Sequence, residues 1–203
     1  MKKIFLFLFG VFCLLSAYGQ QERVTVAYGD PGEVDPLVWN LLQFERISYL
    51  KAMLQGEVLR GKEAVVMKHI VREGVEEREE IVSLVSADSI FEIVFLGKEV
   101  DSDSARIQLA MSGCRAETFC PVSGKPILME TYTGMSDYTL TDTIPVAAFT
   151  TGLPIVVEMG GEPCEWISYC GLRDAKVHPA RWYETYGLPG YTFYTVHFCP
   201  MKQ

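Results

Sequence analysis

The residues of this chain whose chemistry depends most on their neighbours are its six cysteines and three histidines. Cys13 lies inside an apolar N-terminal run. Four of the remaining five form two pairs of one kind, Cys114 with Cys120 and Cys164 with Cys170, each enclosing five residues and carrying an aromatic residue just before its second cysteine. In an oxidising compartment such spacing predicts disulfides, with local bridges Cys114–Cys120 and Cys164–Cys170 as the simplest of several open connectivities. A redox dithiol calls for Cys-x-x-Cys, and a zinc site for closer pairs, so neither a metal nor a redox cofactor is expected.

The fifth, Cys199, follows His197 by two residues, so on a strand the two side chains share a face. A thiol beside an imidazole is the minimum of a cysteine nucleophile, and the pair supports an alternative reading as a small exported hydrolase or thiol enzyme. A buried structural thiol explains the same residues without a third catalytic group. His69 sits on the apolar face of an alternating segment, as a hydrogen-bonded core imidazole would, and His178 precedes Pro179 in a loop. No His-x-x-x-His or HExxH spacing occurs. Asp101 and Asp103 open like a calcium loop, but Arg106 and Ser112 stand where glycine and glutamate are required. Glu73, Glu76, Glu77, Glu79 and Glu80 divide between two strand faces.

Aromatic residues are the other resource. Trp182, Tyr183 and Tyr186 fall on a short helix between Pro179 and Gly187, and Trp166 lies near a turn, positions from which rings are presented to a ligand. Beyond them, Tyr191 to Phe198 alternates with aromatics on both faces, the mark of a strand buried on both sides.

The first nineteen residues read as an export signal: Lys2 and Lys3, an apolar stretch from Ile4 to Leu15, then Ala17 and Gly19 at the positions a signal peptidase reads. This run is shorter than the ~20 residues needed to span a bilayer, and no later one approaches it, so no transmembrane segment is expected. The chain predicts a periplasmic or extracellular protein of one domain, residues 20–203. Loss of the two lysines with the leader takes the net charge from −8 to −10, since no acid leaves with them. Such a balance disfavours nucleic acid and anionic membrane surfaces as partners.

To position these residues, the chain offers one long helical pattern and many short strands. Asp35-Pro36 is a helix start, and Leu37 to Gln55 holds neither Gly nor Pro, predicting a helix to Gly56 whose apolar residues cover most of its circumference. Val65 to Val71 alternates as a half-buried strand. Val75 to Leu84 returns antiparallel after Glu73-Gly74 or, given its glutamates, forms a helix. Phe91–Leu96, Arg106–Met111, Ile127–Tyr132, Tyr138–Thr141, Val146–Thr150 and Ile155–Met159 read as further strands joined by short turns. The expected fold is α+β: a twisted antiparallel sheet with one long N-terminal helix packed on it and a short C-terminal helix. The function this supports is an exported, non-catalytic module binding a peptide, glycan or cell-envelope partner through Trp166, Trp182, Tyr183 and Tyr186.

Overall fold

A computed structural model describes residues 23–121, 126–131, 136–174 and 176–200; the expected export signal, residues 1–19, lies outside them. The described chain opens with strand β1 (Arg23–Tyr28) and reaches the helix start at Asp35. There the capping chemistry is as the residues require: an Asp35 carboxylate oxygen accepts the backbone N–H groups of Leu37 and Val38 at 2.9 and 3.2 Å. Helix α1 (Pro36–Phe44), however, stops after nine residues. Arg46 takes a left-handed φ of 54°, and the chain continues as strand β2 (Ser48–Gln55). The long helix expected from Asp35 to Gly56 does not exist. Its apparent all-round apolar surface is two periods run together, because in β2 Leu50, Ala52 and Leu54 are buried while Tyr49, Lys51 and Met53 between them are only half-buried. The α+β expectation is corrected accordingly: the fold is β-rich, made mostly of antiparallel sheet, with short helices only.

Ten strands follow before the last: β3 (Lys62–Arg72), β4 (Val75–Val85), β5 (Ile90–Glu99), β6 (Ser104–Met111), β7 (Cys114–Pro121), β8 (Ile127–Met129), β9 (Ser136–Thr139), β10 (Ile144–Thr150), β11 (Leu153–Met159) and β12 (Glu162–Ser168). Helices α2 (Cys170–Asp174) and α3 (Trp182–Tyr186) then lead to β13 (Gly190–Pro200). The glutamate-rich segment after Gly74 is a strand. Glu73 and Gly74, at φ 47° and 80°, form a two-residue turn with both central residues left-handed, which fits the strand twist and folds β4 back on β3.

Three sheets result. One has the order β7-β6-β5-β2-β1-β9, a second β4-β3-β13-β10-β8, and β11 pairs only with β12. The first two pack face to face. Their common core joins Val24, Leu54, Ile93, Phe95 and Ile107 of the first to Val66, Val146, Tyr194, Val196 and Phe198 of the second. Phe95 leans on Tyr194 with centroids 5.2 Å apart, and Phe91 meets Phe198 edge-on at 5.7 Å, so aromatic pairs bridge the layers. The opposite face of the second sheet is covered by the chain from Leu172 to Leu188, where Trp182 and Leu188 pack on Val71, Tyr191 and Phe193 as a smaller second core. Strand β13 is thus buried on both faces.

The disulfide expectation is also corrected: Cys114, Cys120, Cys164, Cys170 and Cys199 are all free. Cys114 and Cys120 stand on one strand, β7, where six residues at ~3.3 Å each separate them by about 20 Å. A bridge needs Cα atoms roughly 4.4–6.8 Å apart. Cys164 lies four strand residues before Ser168 on β12, already about 13 Å, and Cys170 begins α2 beyond it. No helix among the described residues is long and apolar enough to cross a membrane.

Candidate functional site

Three places hold the residues singled out by the sequence, and a fourth adjoins them. The first lies in the second core, around His69. Glu76 approaches His69 Nδ1 at 2.6 Å and Thr195 Oγ1 approaches Nε2 at 2.8 Å. Arg78 clasps the same carboxylate through Nε at 2.8 Å and Nη2 at 3.0 Å. These residues meet because β3 lies between β4 and β13 in the sheet, bringing Glu76 to one side of His69 and Thr195 to the other. Arg78, then burial and His69, set the balance on Glu76, whose carboxyl is held below the usual range. Burial lowers the His69 pKa against the pull of Glu76, so the ring is neutral, donating from Nδ1 to the carboxylate and accepting the Thr195 hydroxyl at Nε2.

Hydroxyl, imidazole and carboxylate in this order are the parts of an activated nucleophile. Here Thr195 is completely buried and the His69 ring stacks flat on Phe193, centroids 4.3 Å apart and planes within 8°. The enclosed ring and hydroxyl satisfy each other's hydrogen bonds inside an apolar layer. His178 belongs to the same neighbourhood, edge-on to Phe193 at 6.1 Å; its Nδ1 accepts the Ala180 N–H at 3.2 Å. Burial, and then the nearby His69, lower its pKa.

The second place is the His197–Cys199 pair. Both residues are half-buried on β13, and among the described residues neither side chain makes a hydrogen bond or ion pair. No third group joins them.

The aromatic residues form the third set, and the structure separates them. Trp182 is fully buried, its indole N–H donating to the Val177 carbonyl at 2.9 Å and its ring 5.4 Å from Tyr191. Tyr191, which donates to the Pro179 carbonyl at 2.7 Å, is buried enough for its phenol to be pushed up to about 12. Tyr183 and Tyr186 are half-buried against this core. The Tyr183 ring lies so close over Gly74 that a Cβ there would stand 2.6 Å from it. Trp166, in contrast, is 57% exposed.

Trp166 stands on the β11–β12 hairpin, in which no residue of either strand is buried. The hairpin closes through Gly160 and Gly161, both at left-handed φ (65° and 89°), a two-residue turn that only residues such as glycine enter freely. Its base is fixed by Gly152 at φ 81°, where a Cβ would stand 2.6 Å from Ile167 and 2.8 Å from the Tyr169 ring. Met159 is exposed on the same face as Trp166 and Val156 and Ile167 on the opposite face, and Pro154, Glu165, Trp166, Ile167 and Tyr169 surround an open apolar hollow of about 530 Å³.

The fourth place adjoins it through Tyr169. A cavity of about 240 Å³ is lined by Tyr49, Lys51, Met129, Glu130, Tyr169 and Arg173, among others. Lys51 is engaged with Glu92 at 2.8 Å. Arg173 is held loosely: Glu130 at 3.5 Å, Asp174 at 3.5 Å and the Cys170 sulfur at 3.8 Å are its polar neighbours, and its enclosed Nε donates no hydrogen bond. Burial raises the Tyr49 and Tyr169 phenols, leaving both as neutral donors and acceptors. No short motif announces this site, because Tyr49, Glu130 and Arg173 come from three separated parts of the chain.

Among the described residues no three histidine, cysteine or acidic side chains gather as metal ligands. Comparison of the chain with family models, with curated proteins and with solved structures finds no match. The functional reading therefore rests on the geometry.

Proposed function

We propose that this chain is an exported, non-catalytic binding module that takes an extended peptide by strand addition to the β11–β12 hairpin. The observation that carries the reading is the hairpin itself: a two-stranded sheet that pairs with no other described strand and exposes Val156, Met159, Trp166 and Ile167. An isolated pair of strands is marginal in water, and its outer edges present unpaired backbone donors and acceptors. A third strand supplied by a ligand satisfies one edge and sets its own side chains beside the exposed ones on each face, the mode of recognition in which main-chain hydrogen bonds give affinity and side-chain contacts give selectivity. Glu158, Glu162 and Glu165 on the same strands favour a ligand with basic residues interleaved among apolar ones. The leader-like residues before Gln20 support an envelope or extracellular setting for such a partner.

The test is a titration of the protein with an amidated hexapeptide alternating valine and lysine, followed by tryptophan fluorescence and backbone amide exchange. The reading predicts saturable binding, slowed exchange on one edge of the hairpin and roughly tenfold weaker binding in Trp166→Ala. Binding of chitohexaose at Trp166 with no response to the peptide would replace strand addition by glycan stacking. No response of the hairpin to either probe would end the assignment of this surface.

A further inference from the structure

We infer that the cavity bounded by Tyr49, Tyr169 and Arg173 is a carboxylate-recognition site, with the Arg173 guanidinium as its anchor and the two tyrosine rings receiving the apolar body of the ligand. A guanidinium carries five donors in a planar fork matched to a carboxylate, and well-formed bonds of this type are ~2.7–2.9 Å long. None of the contacts Arg173 makes approaches that length: Glu130 and Asp174 stand at 3.5 Å and the Cys170 sulfur at 3.8 Å. The Nε donor is enclosed and makes no hydrogen bond, the Asp174 carboxylate that faces it standing 3.5 Å away. Enclosed donors in folded proteins are almost always satisfied, so a guanidinium on a cavity wall whose contacts are all long and whose Nε makes no hydrogen bond marks the place an incoming acceptor fills.

Charge narrows the ligand. Lys51 is already paired with Glu92, so the cavity offers one loosely held cation, with Glu130 and Asp174 beside it. A singly charged carboxylate that displaces these long contacts meets less repulsion from Glu130 and Asp174 than a phosphate dianion, which has no second free cation to hold it. The acidity of the whole chain opposes approach only at long range, and salt screens charges beyond ~8–10 Å. The volume of about 240 Å³ accommodates a single aromatic ring with its carboxyl group.

Two sources supply this chemistry: a free organic acid, or the C-terminal carboxylate of a peptide lying on the hairpin, since Tyr169 borders both the cavity and the hollow at Trp166. The second source rests on the strand-addition reading and the first does not. The experiment titrates the intact protein with benzoate and benzamide by NMR, and with the valine–lysine hexapeptide as free acid and as amide.

The expected result is benzoate at least about tenfold tighter than benzamide, with the preference abolished in Arg173→Gln and largely lost in Arg173→Lys, which keeps the charge but not the fork. Equal binding of benzoate and benzamide to the unaltered protein overturns the inference, as does full benzoate affinity in a folded Arg173→Gln protein. A free-acid hexapeptide that outbinds its amide through both Arg173 and Trp166 identifies a peptide C terminus. Benzoate bound through Arg173 with neither hexapeptide bound upholds the cavity for an organic acid and removes the strand-addition reading alone.

Discussion

Phe193 in β13 and Trp166 in β12 are both aromatic residues near the middle of an antiparallel strand, each opposite a large neighbour: His69 for the one, Ile155 for the other. Phe193 is 1% exposed and Trp166 57%. The difference is not in the residues but in what the strands are given to pack on. Strand β13 lies between β3 and β10, with the other sheet on one face and described residues between Leu172 and Leu188 on the other, whereas among the described residues β12 has a single strand partner and no buried side chain. Aromatic content therefore marks the inside of the molecule at β13 and its outside at β12. The first is structural, and the second is where the proposed binding surface lies.

Substitution is the strongest way to break the contrast. Phe193→Ala should cost about 3–5 kcal/mol of unfolding free energy by chemical denaturation, as for other large rings removed from a well-packed interior. A loss below about 1 kcal/mol would mean that β13 is not the doubly covered strand described. Lys68→Ala comes next. This lysine is 5% exposed, bonded to Thr118 Oγ1 at 2.6 Å and the Phe119 carbonyl at 3.3 Å, and paired with Glu79, so it ties β3 and β4 to β7 across the layers. Its loss should cost about 1–3 kcal/mol, since the buried acceptors it leaves lose their donor while Glu79 returns to water.

A smaller effect follows from pH. His69 and His178 are held neutral in the folded chain, with pKa values below those of unfolded histidine, so below about pH 6.5 the unfolded chain binds more protons than the folded one. Stability is then intact at neutral pH and falls on acidification. Glu76, also depressed, adds a further loss as its folded value is crossed at lower pH. Denaturation midpoints from pH 7.5 to 5 should decrease, and His69→Gln should flatten the decrease; a midpoint rising on acidification would contradict the neutral ring. The smallest expected change sharpens the comparison: Trp166→Ala should alter stability by no more than about 0.5 kcal/mol. An exposed ring whose removal matters for binding and not for folding is the signature of a presented residue.

The same contrast explains what could be read from residues alone. The alternation of Val65 to Val71 and the doubly apolar Tyr191–Phe198 segment each carry a clear local signal and are strands in the structure, whereas the Glu73-Gly74 turn competes with a helical pattern in the glutamates after it and is settled by the pairing of β4 with β3. Leu37–Gln55 misleads because no Gly or Pro separates a helix from a strand there. Only the switch at Arg46 from a 3.6-residue to a two-residue period marks the break. Strands β7 and β12 are hidden by their cysteines, whose spacing suggests closed loops when the backbone is extended. Trp166, Trp182, Tyr183 and Tyr186 look equivalent in sequence, since burial is decided by segments far along the chain. The Arg173 cavity is assembled from such distant pieces and has no local trace.

Strand β4 forms one margin of its sheet, eleven residues long and mostly exposed, with Glu77, Glu79 and Glu80 along it. A margin of that length is a template on which another chain can lay a strand, and like charge on the approaching copy is what keeps two such margins apart. The acids that made this segment look helical are therefore a colloidal safeguard. Screening them with concentrated salt weakens the repulsion while the template remains, so self-association of the chain is expected to rise with ionic strength.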